Sequence, residues 1–387
     1  MSDQHRRLES LHRPTLISTA VGVLTLLLTA LGERRESLFA YLFAFFFWLT
    51  FALGALFLQT MLHTTHARTF IVLRRPLEWT SVACVLFIPL FLPIALNLRE
   101  LFIWVEPPSD LDPKLTALIA HKHAYLNVTF FLIRAVLYFA FWSTVALLLS
   151  RWSRAQDEKA DVTPKQRALS AGALPFLAIT LSFAALDWVM SLEPRFVSTL
   201  YGVYIFAGAV VAMLSVLALL GTFPVFGQSL SAAHLNQLGA LLLAFVCFWA
   251  YCAWSQGMLM WVAGLPSESP WLLARTHAGW GALLVVLILG HFALPFLALL
   301  SRAIKQNQVA LALIAGLLVL LHAVDVYWLV LPALHPDTVH FHWATISAWL
   351  GVGGLTLAFV LWRAGGQYTL PVNDPYLLHS LEVRLHE

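Results

Sequence analysis

The sequence predicts an all-α integral membrane protein with about ten transmembrane helices. Composition is the first reason. Of the 387 residues, 60% are hydrophobic and 11% are charged, and the mean hydropathy is +0.79. Soluble domains run at about 45–50% apolar and about 25% charged, so this chain has too little charge to coat a water-facing surface. The second reason is the length of its apolar runs. Stretches 15–31, 37–61, 79–98, 127–149, 169–190, 199–223, 236–262, 277–300, 309–334 and 341–362 approach or meet the roughly 20 residues that span the hydrocarbon core. They are continuous, whereas a membrane β-barrel needs alternating segments of about ten residues. The third reason is charge asymmetry. If all ten runs cross, segments on the N-terminal side hold fifteen Lys and Arg and the opposite loops hold seven. That excess predicts a multi-pass protein with both termini in the cytoplasm.

The net charge of +3 includes no dense basic tract, which argues against nucleic acid as a partner. Cys84, Cys247 and Cys252 all fall in apolar runs, with no CxxC or CxxCH. The sequence therefore encodes no redox dithiol, c-type haem or iron–sulfur ligand set.

Residues 1–14 are polar and carry Arg6, Arg7 and Arg13. With run 15–31 they have the outline of a signal peptide, but GERRE closes the run without a clear cleavage site. A retained first helix is expected. The second helix has Gly54 flanked by Ala52 and Ala55, small residues that allow close helix approach. Next comes HTTHARTFIVLRRPLEW, with His63, His66, Arg68, Arg74 and Arg75. It is expected to be an exposed cytoplasmic loop touching lipid headgroups or a partner. Pro89 and Pro93 should break the third helix, because proline removes a backbone donor.

Residues 99–126 form the longest connection, which is predicted to face outward. It is long enough to cover the external mouth or to meet a partner. His121 and His123 lie in it, but nothing nearby completes a ligand set and no metal is expected. The fourth helix contains Arg134. The stretch 173–194 is almost wholly apolar yet contains Asp187, which would be costly if unpaired in hydrocarbon. At 1.5 Å per residue the two depths differ by only about 4 Å. An ion pair, or membership of a polar proton route, is expected. Between them, 150–168 reads as a charged, exposed loop in which Pro164 precedes the start of the next helix.

The second half repeats this order. Gly208 lies between Ala207 and Ala209 in the sixth helix, and Asp325 lies about two turns before the end of the ninth run. Aligning Asp187 with Asp325 pairs Ala185 with Ala323 and Leu186 with Val324. Helices two to five and six to nine therefore read as two four-helix units in parallel repeat. The division expected is 1–36, 37–198, 199–340 and 341–387, the first and last parts holding one peripheral helix each and the cytoplasmic ends. Trp249, Tyr251, Trp254 and Trp261 approach the outer interface, and Gln256 among them could bond a neighbour. Loop 263–276 carries Glu268 and Arg275 towards His277.

His291 and His322 are the histidines deep in apolar sequence, about 21 and 18 Å from the outer ends of their helices by residue count. Equal depth would suit a bis-histidine haem, but one pair falls short of a convincing ligand set. His322 and Asp325 share a helical face. Arg134, Asp187, His291, His322 and Asp325 are thus the candidates for a proton path. No catalytic residue, metal ligand or redox cofactor is expected in this chain. His335, His340 and His342 lie close to the outer boundary of the tenth helix, and the polar tail would cap the cytoplasmic face or dock a partner.

Five stretches carry a resemblance. They are AYLFAFFFWLTFALGALFLQTMLH (40–63), VLRRPLEW (72–79), HKHAYLNVTFFLIRAVLYFAFW (121–142), LDWVMSLEPRFVSTLYG (186–202) and LPVNDPYLLHSLEVRL (370–385). The chain resembles the NrfD-like, polysulfide-reductase-type membrane subunits of alternative complex III, a bacterial quinol:cytochrome c oxidoreductase. That resemblance implies a ten-helix subunit of the inner membrane, with two four-helix bundles and two peripheral helices. It implies as partners a larger NrfD-like membrane subunit, an iron–sulfur peripheral subunit, multihaem and monohaem cytochromes c and a small membrane subunit. Haem and iron–sulfur clusters would belong to those partners, and quinol would be the substrate of the complex. An independent secondary transporter and a purely structural scaffold are the alternatives that the apolar helices and buried acids leave open.

Overall fold

The computed structural model describes residues 8, 11–158, 162–227, 229–264 and 269–383. Arg6, Arg7, Glu268 and the 159–161 part of the charged loop lie outside the described residues. Among the described residues the protein is all-α. Nine helices are long and apolar enough to cross a membrane, and one bent pair makes a tenth. These are α1 (His12–Ala30), α2 (Arg34–Thr65), the bent α3 (Arg68–Val85 with Phe87–Leu96), α4 (Val128–Asp157) and α5 (Thr163–Trp188). The second half contains α6 (Tyr201–Leu220), α7 (Ala232–Ala263), α8 (Trp280–Leu300), α9 (Gln308–Val330) and α10 (Trp343–Ala364). They match the ten predicted runs one for one and form a multi-pass membrane protein.

The ends and breaks have local causes. Asn127 caps α4 by accepting from the Phe130 amide at 2.9 Å, and Asn307 caps α9 by accepting from the amides of Val309 and Ala310. Each satisfies donors that a helix start leaves open. Pro164 falls within the first turn of α5 rather than ahead of it, where its missing N–H costs nothing because that donor has no intrahelical partner. The two pieces of α3 meet at 46°. Pro89 cannot bond the Val85 carbonyl and Pro93 cannot bond that of Pro89, so the ladder fails where the prolines fall. In α8 the segment Leu287–Ala293 is π-helical. Pro295 follows it and cannot donate to the carbonyl of His291.

The central element is α2. Of its most apolar window 89% is buried, against 11% for α1. It packs on α5, α6, α9, α10 and the Arg74–Ser81 part of α3. Gly54 explains how close it comes to α6. A Cβ there would sit 2.3 Å from the carbonyl oxygen of Ala209. The two small-residue motifs read from the sequence thus meet at one interface. Peripheral α1 packs chiefly on α10, where a Cβ at Gly22 would lie 2.8 Å from the backbone nitrogen of Leu355. Leucines and isoleucines such as Leu16, Ile17, Leu24, Leu313 and Leu320 are more than half exposed and give the apolar perimeter that lipid requires.

Two expectations need correction. The basic stretch after α2 is not an exposed loop. Residues 68–81 are helical, and Arg74 and Arg75 are 2% and 0% exposed. Arg74 pairs with Glu78 at 2.9 Å and with Asp374, and Arg75 pairs with Glu78 at 2.9 Å and with Asp157. The second correction is loop 150–168. Ser153, Gln156 and Gln166 are buried, and Ser153 and Gln156 accept from Arg74 at 3.0 and 2.9 Å. The physical reason is common to both. Charges at one rim neutralise each other through desolvated hydrogen bonds when the chain brings opposite signs together. The tail closes this network: helix Leu377–Glu382 packs on 68–73, and Ser380 donates to the Thr69 carbonyl at 2.6 Å.

Candidate functional site

All five residues selected from the sequence face inward. Asp187 and His291 are 0% exposed, His322 and Asp325 2%, and Arg134 6%. A charged or titratable group in a membrane helix is kept off lipid in this way. They fall into two groups rather than one.

The first group joins α4 to α5. Arg134 donates through Nε to Asp187 Oδ2 and through Nη2 to Oδ1, both at 2.8 Å. This two-pronged geometry suits the planar guanidinium. Tyr138 donates its hydroxyl to Asp187 Oδ2 at 2.8 Å, and Arg134 Nη1 donates to the Tyr125 carbonyl at 3.1 Å. The rings of Tyr125 and Phe130 cover the guanidinium at 3.9 and 4.3 Å. Every strong bond of this carboxylate is directed at a fixed partner, the pattern of a structural ion pair.

The second group surrounds Asp325 and has a different character. Tyr204 of α6 donates to Asp325 Oδ1, and Trp249 of α7 donates through Nε1 to Oδ2 at 3.1 Å. No cation appears among these contacts. Trp249 also packs edge-on against His291 at 4.3 Å between ring centroids, and neither ring nitrogen of His291 has a hydrogen-bond partner among the described residues. His322, one turn before Asp325, meets Thr50 of α2 at 2.8 Å through Nε2. Thr50 donates its own hydroxyl to the Phe47 carbonyl at 2.6 Å, which leaves its oxygen to accept from His322 Nε2–H. Gly208 makes room for this ring, since a Cβ there would lie 3.2 Å from Cε1. His291 belongs to the π-helical turn of α8, a distortion often found at functional sites.

A cavity of about 680 Å³ lies beside this group. Tyr204 and Trp249 form part of its wall, with Tyr201, Trp271, Ile288, Phe292 and Trp328. At its rim Trp254 and Trp261 are 72% and 79% exposed on the apolar perimeter. The arrangement offers an aromatic, apolar chamber reached from the lipid side, with a buried carboxylate one hydrogen bond behind its wall. A flat, apolar ring compound fits such a lining.

No hydrogen bond among the described residues joins the Asp187 group to the Asp325 group. Arg134 and Asp187 meet, and His291 meets the Trp249 that holds Asp325. His322 turns instead towards Thr50. Sequence reading missed Tyr138, Tyr204, Thr50 and the role of Trp249, because hydroxyls and indoles on apolar helices carry no signal until a partner faces them. It also placed Arg275 in a plain loop. Arg275 is 1% exposed, pairs with Glu193 at 2.6 Å, donates to the Leu329 carbonyl at 2.9 Å and stacks on Trp271 at 4.1 Å. A lone arginine beside two tryptophans was the available clue. Gln256, singled out for its position, accepts from Ser198. No protein-family profile and no curated protein sequence matches this chain.

Proposed function

We propose that this chain is the smaller NrfD-like membrane subunit, of the ActF type, in an alternative-complex-III-like quinol:cytochrome c oxidoreductase of the bacterial inner membrane. In this reading both termini are cytoplasmic. Spans α2–α5 and α6–α9 act as two four-helix bundles, with α1 and α10 peripheral. The chain docks the larger NrfD-like subunit, the iron–sulfur subunit, the cytochromes c and the small membrane subunit. It carries no redox cofactor, and electrons pass through those partners.

The observation that carries this reading is where the resembling stretches meet. They supply both partners of Arg134–Asp187 and both partners of Arg74–Asp374. Residues that hold one another in space would be kept together in a related fold. The Asp325 group supports a second, chemical role. Quinol oxidation releases protons, and a buried carboxylate without a cation beside it is suited to taking one up and passing it on. The closed Arg134–Asp187 pair is suited to holding α4 against α5.

The test is copurification from native membranes in mild detergent. Haem-containing partners should follow the tagged chain, and the isolated chain should give no b-type haem difference spectrum. A chain that purifies alone and transports a solute after reconstitution would support the transporter reading instead. Within the complex, Asp325→Asn should leave assembly intact and reduce protons released per electron or the turnover itself. Normal assembly with unchanged turnover and proton release would count against the proton role.

A further inference from the structure

Away from the sites above, Glu36, His335 and His340 place one ligand atom each within 4.8 Å of one another. We propose that they form a binding site for a divalent metal ion of the zinc class. Two imidazoles and a carboxylate form a donor set that zinc accepts, with one position left for water. Such a site needs its ligand atoms roughly 3.3 Å apart if its bonds are about 2.0–2.1 Å. The present separations are close to that. His335 Nε2 lies 2.5 Å and His340 Nδ1 4.0 Å from Glu36 Oε1. Small side-chain rotations therefore suffice, and the existing His335–Glu36 hydrogen bond would give way to the ion.

The backbones behind the ligands are already fixed. Glu36 stands in the first turn of α2. Trp280, fully buried, donates through Nε1 to the His335 carbonyl at 2.9 Å. Tyr327 donates its hydroxyl to the His340 carbonyl at 2.9 Å. Supporting contacts of this kind orient ligands before the ion arrives. Access is open from one side, for the His340 side chain is 53% exposed while that of Glu36 is 12% exposed. His342 stacks on His340 at 6.1 Å, and its Nδ1 already accepts from the Ala344 amide at 3.2 Å. A bound ion would fasten the start of α2 to the connection between α9 and α10 more firmly than the His335 and His340 contacts with Glu36 do by themselves.

The experiment uses the full chain in detergent, stripped with a chelator and then titrated with Zn²⁺. Calorimetry should give one ion per chain, with a rise in melting temperature. His335→Ala and His340→Ala should each weaken binding by at least about tenfold, the loss that even a supporting residue causes. His121→Ala should leave binding unchanged. Co²⁺ provides a readout independent of stability. The wild type should show the visible bands of a tetrahedral ion, and Glu36→Gln should lose them. No saturable Zn²⁺ binding by the wild type would overturn the proposal. So would equal binding by the wild type and both histidine variants, or a Co²⁺ spectrum untouched by Glu36→Gln.

Discussion

Replacing Asp187 by Asn is the sharpest test of how this membrane fold is held. Asparagine keeps the size of the side chain and can still accept from Tyr138. What it removes is the negative charge opposite Arg134, which lies 6% exposed between α4 and α5. The guanidinium would lose two charge-assisted bonds of 2.8 Å. It would keep the Tyr125 carbonyl and two ring faces, neither of which neutralises it. Hydrogen bonds to charged groups contribute about 1.5–3 kcal/mol each, and breaking a buried pair from one side costs about 3–5 kcal/mol. The two estimates agree. The ratio of folded to unfolded protein should therefore fall by about two to three and a half orders of magnitude, at 1.4 kcal/mol per decade.

The double variant Arg134→Met, Asp187→Leu removes both charges and should recover most of that loss, since apolar replacements of a buried pair are often neutral or stabilising. The assay is equilibrium unfolding in mixed detergent micelles, run on both single variants and the double variant, so that coupling is measured directly. A single substitution costing under about 1 kcal/mol would refute the reasoning, because it would mean that the pair is wet or unformed. A double variant as unstable as the single would refute it too.

Three other outcomes are expected. Gly54→Ala should destabilise by about 1–3 kcal/mol through the clash with the Ala209 carbonyl, whereas Gly257→Ala, where a Cβ meets nothing within 4 Å, should be neutral or slightly stabilising; the same unfolding assay compares them. Asp374→Ala should cost about 1–3 kcal/mol and make the tail a faster target in limited proteolysis, because Arg74 loses its ion pair with the tail and leaves the Ser380–Thr69 bond to hold residues 377–382 against α3. Lys122 donates to the Pro194 carbonyl at 2.6 Å, and burial pulls its pKa below the ordinary 10.5. In the window between the lowered value and 10.5 the unfolded chain binds more protons than the folded one, so stability should rise with pH there. Lys122→Met should flatten that rise in pH-dependent melting curves.

Much of this protein follows from its residues taken singly. Hydropathy is a property of each segment against its solvent, so the ten spans and the break at Pro89 and Pro93 were legible without a fold. The inward position of Asp187, His322 and Asp325 was legible for the same reason, since hydrocarbon penalises each of them wherever the neighbours lie. Even Arg134 could be matched to Asp187, because depth along a helix is counted in residues.

Only the tertiary structure decided which faces meet. The acids of α5 and α9 stand out in the sequence, yet α2, with no acid or base in its interior, is the most enclosed span. A helix that is apolar all round gives no direction for its neighbours, and inside a membrane close approach depends on shape and small residues. The same limit hid the Arg74–Asp374 pair, whose members are 300 residues apart, and the Tyr204 and Trp249 donors that converge on Asp325 from two other helices. Such contacts belong to no segment: they arise when helix faces are packed together, and it is that packing which sets Asp187 against a fixed cation and Asp325 against a tyrosine hydroxyl and an indole N–H.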